Sequence, residues 1–301
     1  MDTASNRRAR WGPWTVLLCV AASIAAAFAG SGALGGRPIK DAAGGWLSAD
    51  GTPLAPGTGA FAIWTLIYAG LAAYAVWQAL PAQLNSDRQA ALRPWAAASA
   101  ALNGLWIWVV QAGWLGASVL VIVLLLAVLA RILVLLNRWP AGNGIERAVA
   151  DGTFGLYLGW VTVATLANAA AWLGSKGVGA SGFDAFGLPV EVAGGALLAV
   201  TALIGVATAA FGGKRLAPAV ALAWGLAWIA AGRQDGDLES VAIAWAARLA
   251  AITVLLAAVA LRIGTEPDGT GSFGSGPRST GRRSTGRRGA GHRPAPTETA
   301  R

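Results

Sequence analysis

Apolar residues in this chain fall into long blocks separated by short polar stretches, and the run from Val119 to Ala130 is among the densest. A transmembrane helix needs about 17–25 predominantly apolar residues. That criterion predicts eight helices, over about residues 14–30, 60–80, 95–112, 115–137, 152–173, 189–211, 216–231 and 240–262. The seventh is short and carries Pro218 in its first turn, where proline is tolerated. So many long blocks exceed what one water-soluble core absorbs, and the pattern predicts an all-α integral membrane protein.

Composition sharpens this expectation. Of 301 residues, 55% are apolar and only 12% charged, and the mean hydropathy is +0.56, whereas soluble domains carry about 25% charged residues. Arg7, Arg8 and Arg10 precede the first block, and an Arg-rich stretch follows the last. The excess of Lys and Arg in cytoplasmic segments then places both termini inside, with an even number of spans in the cell (inner) membrane. A signal peptide cleaved after Ala27-Phe28-Ala29 is the competing reading; a retained first helix is preferred. Three Lys beside many Arg, with abundant Ala and Gly, suggest a bacterial, GC-rich source.

The chain is poor in reactive groups, with one Cys (Cys19), one Met and one His (His292). No metal site or nucleophile–base pair can be assembled from these, and Gly213-Lys214-Arg215 lacks the spacing of a phosphate loop. Enzyme chemistry is therefore not expected, and no cofactor is required. Charges inside the spans are few: Arg131 and Glu191 lie near helix ends, and Arg248 lies deeper, as a structural contact or an ion-pathway group. The segment after Ile263 repeats Ser279-Thr280-Gly281-Arg282-Arg283 as Ser284-Thr285-Gly286-Arg287-Arg288. Its composition predicts disorder and contact with anionic lipid headgroups; lacking aromatic residues except Phe273, it is a poor nucleic-acid binder.

Tryptophan is the unusual feature, with fifteen copies. Trp11, Trp14, Trp95, Trp114 and Trp139 fit an interfacial belt. Others share helix faces. Phe61, Trp64 and Tyr68 are spaced i, i+3, i+7, as one narrow face of the second helix. Ser99, Asn103 and Trp106 do the same on the third, and Trp160, Ala164, Asn168 and Trp172 recur every four residues on the fifth. With the N-terminus inside and about 1.5 Å rise per residue, Trp64 and Tyr68 lie about 6 and 12 Å below the outer surface, Asn168 about 8 Å, Trp106 about 10 Å and Asn103 about 15 Å. An aromatic cavity with few polar groups, open to the outside, is what a flat apolar ligand requires. The long loop over residues 31–59, with Trp46, Pro53 and Pro56, enters the second helix above that cavity and can serve as its lid. Intramembrane Asn residues equally serve as glue between helices.

These stretches resemble the TspO/MBR family of tryptophan-rich sensory, translocator-like proteins. Trp160 to Trp172 (WVTVATLANAAAW) looks like its fifth-helix signature, Ala101-Leu102-Asn103 with Trp106 its third-helix pattern, and Phe61, Trp64 and Tyr68 its second-helix motif. The likeness covers about residues 11–175, leaving helices six to eight outside it. It implies a five-helix bundle, here extended by about three further helices, and a pocket for porphyrin, haem-like or other flat hydrophobic ligands. Porphyrin-degrading activity has also been proposed for the family. The chain departs from the family in its first loop, where the doubled proline is reduced to separated Pro53 and Pro56, and in lacking a cholesterol-type motif.

The expected organisation is a basic N-tail (1–13), a TspO-like bundle (14–175), three added helices (176–263) and an Arg/Gly-rich tail (264–301). The expected ligand site is Trp46, Phe61, Trp64, Tyr68, Asn103, Trp106, Trp160, Asn168 and Trp172. Small residues at Ala96, Ala100 and Gly104, and at Gly155 and Gly159, permit close helix approach, either within the chain or in a homodimer through the third helix. The alternative function is a secondary transporter of a small hydrophobic or cationic solute, coupled through Arg248 or Glu191.

Overall fold

The computed structural model describes residues 3–30, 38–177, 188–213 and 215–264, and all regular structure among them is helical. Eight helices run the length of the bundle: α1 (Thr3–Gly30), α2 (Ile63–Trp77), α3 (Asp87–Gln111), α4 (Leu115–Arg138), α5 (Gly144–Ser175), α6 (Val190–Phe211), α7 (Ala217–Ala231) and α8 (Val241–Ile263). Six segments are long and apolar enough to cross a membrane, the second being α2 together with the helical turn before it (Thr58–Trp77); α3 and α7 are not among them. The fifteen residues of α7 reach about 22 Å against a hydrocarbon core of about 30 Å.

Three helices begin earlier than the apolar pattern predicts, α1 at Thr3, α3 at Asp87 and α5 at Gly144, and for α3 and α5 the physical reason is the same. The first turns of α3 hold Arg88, Gln89 and Arg93, all buried, and Ser86 caps the helix by accepting from the Gln89 N–H at 3.3 Å. The start of α5 holds Glu146 and Asp151, also buried, with Asn143 as its cap at 2.8 Å. These polar residues hide the helices from a hydropathy scan but are inside because they satisfy one another. Arg88 pairs with Glu146 at 2.8 Å and with Asp151 at 2.5 Å. Arg215 pairs with the other Asp151 oxygen at 2.7 Å. On a regular α-helix, residues five apart point about 140° from each other. A π-helical turn over Arg147–Gly152 widens the spiral and brings both carboxylates to Arg88.

The helices form two cores that share a wall. Helix α3 packs on α1 and α4, α4 on α5, and α2 closes the ring between α1 and α5. This is the expected five-helix bundle. Helix α7 then docks on the far side of α5, with α8 and α6 beyond it. Trp160 and Val161 of α5 belong to the first core and Val163 to the second, so the middle of α5 is buried from both sides and forms the shared wall.

Glycine sets these approaches. A Cβ on Gly159 would stand 2.1 Å from the Pro218 carbonyl oxygen, and one on Gly155 would stand 2.8 Å from Ala217. The small face of α5 is therefore the seat of α7. The small face of α3 is likewise used within the chain: Ala96 and Ala100 are buried, and Gly104 faces Ser23 and Ala26 of α1. The homodimer expected through this stripe loses its surface, because α1 already covers it. Helix α1 also meets α3 through Asn103, which donates to Ser23 Oγ at 2.9 Å. The tail beyond residue 264, with its repeated Arg pairs, lies outside the described residues.

Candidate functional site

The three aromatic faces do converge. Trp64 stacks on Tyr68 with ring centroids 5.2 Å apart and stands edge-on to Trp160 at 6.2 Å, and Phe61 meets Trp160 edge-on at 5.8 Å. These rings are held by position: Trp64 and Tyr68 share one face of α2, and Trp160 is fully buried on α5. Asn103 donates to the Tyr68 hydroxyl at 2.8 Å. Trp106 donates its indole N–H to Asn168 Oδ1 at 2.9 Å, and Asn168 donates in turn to Ser118 at 2.8 Å. Both Asn residues are thus helix glue, tying α3 to α1 and α2, and α5 to α3 and α4.

Between these groups lies a narrow, mostly apolar cavity of about 50 Å³, bordered by Trp46, Phe61, Trp64, Asn103, Trp106, Trp160 and Asn168. Seven of the nine expected residues therefore line one space. Tyr68 does not; it backs Trp64 from behind. Trp172 does not either: it borders a separate cleft with Trp46 and Lys176, because a four-residue stripe drifts about 40° per step and by Trp172 has left the cavity face. Sequence reasoning missed Ile122 and Leu125 of α4, which close the fourth side. Aliphatic residues on a helix of uniformly high hydropathy carry no signal that separates pocket lining from lipid contact. Ala55 and Pro56 were missed as lining for a related reason, since loop geometry decides which of its residues turn inward.

One residue of the cavity wall carries an unspent polar group. Trp160 Nε1 is buried and has no hydrogen-bond partner among the described residues. In a setting without water, an indole N–H left bare carries a real cost.

The loop before α2 covers the cavity. Ala43, Gly44 and Gly45 all take positive φ (51°, 71° and 81°), turning the chain so that Trp46 enters the lining and packs where Gly174 leaves room; a Cβ there would lie 2.7 Å from the indole. The loop is fastened from the side of α7. Gly57 donates to the Trp228 carbonyl at 3.0 Å, Trp224 Nε1 donates to the Ala60 carbonyl at 3.0 Å, and a Cβ on Gly59 would collide with the Trp228 ring at 2.1 Å. Arg233, 1% exposed, donates to the carbonyls of Ala49 at 2.8 Å and Thr52 at 3.3 Å. Burial draws its pKa below the ordinary guanidinium value, while the Asp50 carboxylate acts in the opposite sense. Helix α7, beyond the five-helix core, thus supplies the fastenings of the loop over the cavity.

The intramembrane charges stand elsewhere. Arg248 lies over the Trp245 ring at 5.0 Å and Arg131 over Trp95 at 5.7 Å, both outside the cavity lining, and Glu191 is exposed at the start of α6. Among the described residues, no group of three or more His, Cys, Asp or Glu is placed to hold a metal ion.

Comparison with known proteins agrees with this architecture. Neither the curated proteins nor the solved structures contain a match. A family model described as TSPO-like protein matches residues 14–260, which extends the likeness past residue 175 and takes α6, α7 and nearly all of α8 into the family's span. With three helix motifs meeting at one cavity and the match covering most of its length, the chain belongs to the TspO/MBR family of multi-pass, all-α membrane proteins.

Proposed function

We propose that the protein binds a flat, hydrophobic ligand of porphyrin or haem-like type between α2, α3, α4 and α5, beneath the loop that carries Trp46. The observation that carries this reading is Trp160: its side chain lines the cavity, and its buried indole N–H has no hydrogen-bond partner among the described residues. A ligand acceptor, such as a carboxylate or ring nitrogen, satisfies that donor while the ring lies against Trp64 and Trp106. Aromatic walls with few polar groups suit a ligand of this kind.

Ligand sites measure about 300–1,000 Å³, so a cavity of about 50 Å³ is a closed form with room for a few waters. Binding requires the Trp46 loop to lift and Trp64 to turn. We place the cavity in the outer half of the membrane, with both termini cytoplasmic, because the buried arginines Arg88 and Arg93 and the Arg215 ion pair gather at the opposite end.

Titrating the purified protein with protoporphyrin and following quenching of its tryptophan fluorescence tests the proposal. Saturable quenching that weakens in Trp64→Ala and Trp160→Phe is expected. A linear, unsaturable response, or one unchanged in both variants, overturns it.

A further inference from the structure

At the end of the bundle opposite the loop, a second cavity of about 440 Å³ opens between the start of α5, the connection from α6 to α7 and the last turn of α8. Its charged walls are Arg147, Arg215, Arg262 and Asp151. Asp151 is already shared between Arg88 at 2.5 Å and Arg215 at 2.7 Å, so its negative charge is spent. Arg215 is committed as well: Nε holds Asp151, Nη1 reaches Asn137 and the Gly212 carbonyl, and Nη2 reaches the Leu136 carbonyl at 2.8 Å. Arg147 and Arg262 differ. Both are exposed, and among the described residues neither has an ion pair or a hydrogen bond. The walls therefore carry two uncompensated guanidinium groups facing one cleft.

The uncapped N-terminus of α7 adds to this field. Leu216 and Ala217 border the cleft, and no side chain accepts from the first-turn N–H groups of that helix, whose dipole favours an anion there. The level in the membrane selects the anion. Arg262 ends one span and Arg147 begins another, so the cleft lies where lipid headgroups lie. Arginine matches phosphate oxygens by its planar fork of donors.

We propose that this cleft is a binding site for the phosphate of an anionic phospholipid headgroup, held by Arg147 and Arg262. It is separate from the ligand cavity under the loop. Its three walls come from α5, the α6–α7 connection and α8, so a bound headgroup bridges the five-helix ring and the added helices.

The test uses the full chain in detergent with added lipid, read by native mass spectrometry and thermal unfolding. Phosphatidylglycerol is expected to remain bound at one per chain and to raise Tm, phosphatidylcholine to do neither, and Arg147→Gln/Arg262→Gln to lose retention several-fold. The C-terminal segment is the same in both proteins, so its contribution cancels. The two single variants serve if the double one does not fold, each being expected to lose part of the retention. Retention equal in wild type and variants overturns the proposal. Inorganic phosphate that raises Tm as much as the lipid, and displaces it, overturns the headgroup assignment in favour of a soluble phosphate.

Discussion

The two ends of α3 and α5 bury polar groups in opposite ways. At the Arg88 end, four charged side chains and their carbonyl partners complete one another: Glu146 and Asp151 on Arg88, Asp151 again on Arg215, and Gln89 bridging Tyr74 at 3.1 Å and Glu146 at 2.9 Å. At the Trp160 end, Asn103 and Asn168 are paired, but one indole N–H and a small void are left over. The first end is a lock of ion pairs, in which Arg88 Nη1 meets Glu146 as a charge contact without a hydrogen bond. The second is a closed site with one donor in reserve. Buried polarity by itself does not mark function; what separates the two regions is that the first is held by ion pairs within the chain, whereas the second leaves a void beside a residue whose indole N–H has neither an ion pair nor a hydrogen bond.

That contrast sets the order of expected effects. Breaking the lock costs most. Arg88→Ala strips Glu146 of its ion pair and Asp151 of one of its two, and a buried pair broken from one side costs about 3–5 kcal/mol. The measurement is thermal unfolding in detergent, with a large fall in Tm expected. Gly159→Val comes next. Its side chain meets the Pro218 carbonyl, where even a Cβ would stand at 2.1 Å, and overpacking of this kind costs about 1–3 kcal/mol. Because the clash pushes α7 from α5, faster proteolysis in the loop around Trp46 should accompany the lower Tm.

Smaller effects fall on the site itself. Asn168→Ala removes the acceptor of Trp106 and the donor to Ser118; in a membrane interior such bonds average about 0.6 kcal/mol, with a maximum of about 1.7. A modest Tm change is expected together with weaker protoporphyrin quenching, which separates glue from ligand contact. Arg233→Gln should release the loop with little change in the ring of five helices. Hydrogen exchange over residues 46–57 should speed up while that in α3 and α4 does not. Trp46→Ala is expected to move Tm least, since the indole is only half-buried, and to act on the rate of ligand association rather than on the fold.

The all-α class and all eight helices were legible in the sequence because hydropathy responds directly to the membrane. Helix starts at Asp87 and Gly144 were not, because Arg88, Gln89, Glu146 and Asp151 look like surface residues until their mutual pairing is known. Face periodicity found Phe61, Trp64, Asn103, Trp106, Trp160 and Asn168, since residues that line one space from three helices must each repeat at helical spacing. The same rule added Tyr68 and Trp172, which do not line that cavity. Periodicity gives a face but not how far along it the cavity extends. The role of α7 could not be read at all, as Trp224, Trp228 and Arg233 meet the loop across more than 160 residues of chain.

The central claim is that Trp160 holds an indole N–H in reserve for a ligand. With tryptophan labelled by nitrogen-15 at the indole nitrogen, the Trp160 resonance is identified as the one absent from Trp160→Phe. Addition of protoporphyrin should move that resonance strongly downfield, as a new hydrogen bond requires. If it stays in place while the porphyrin is bound, the donor is not in use and the account of the site fails.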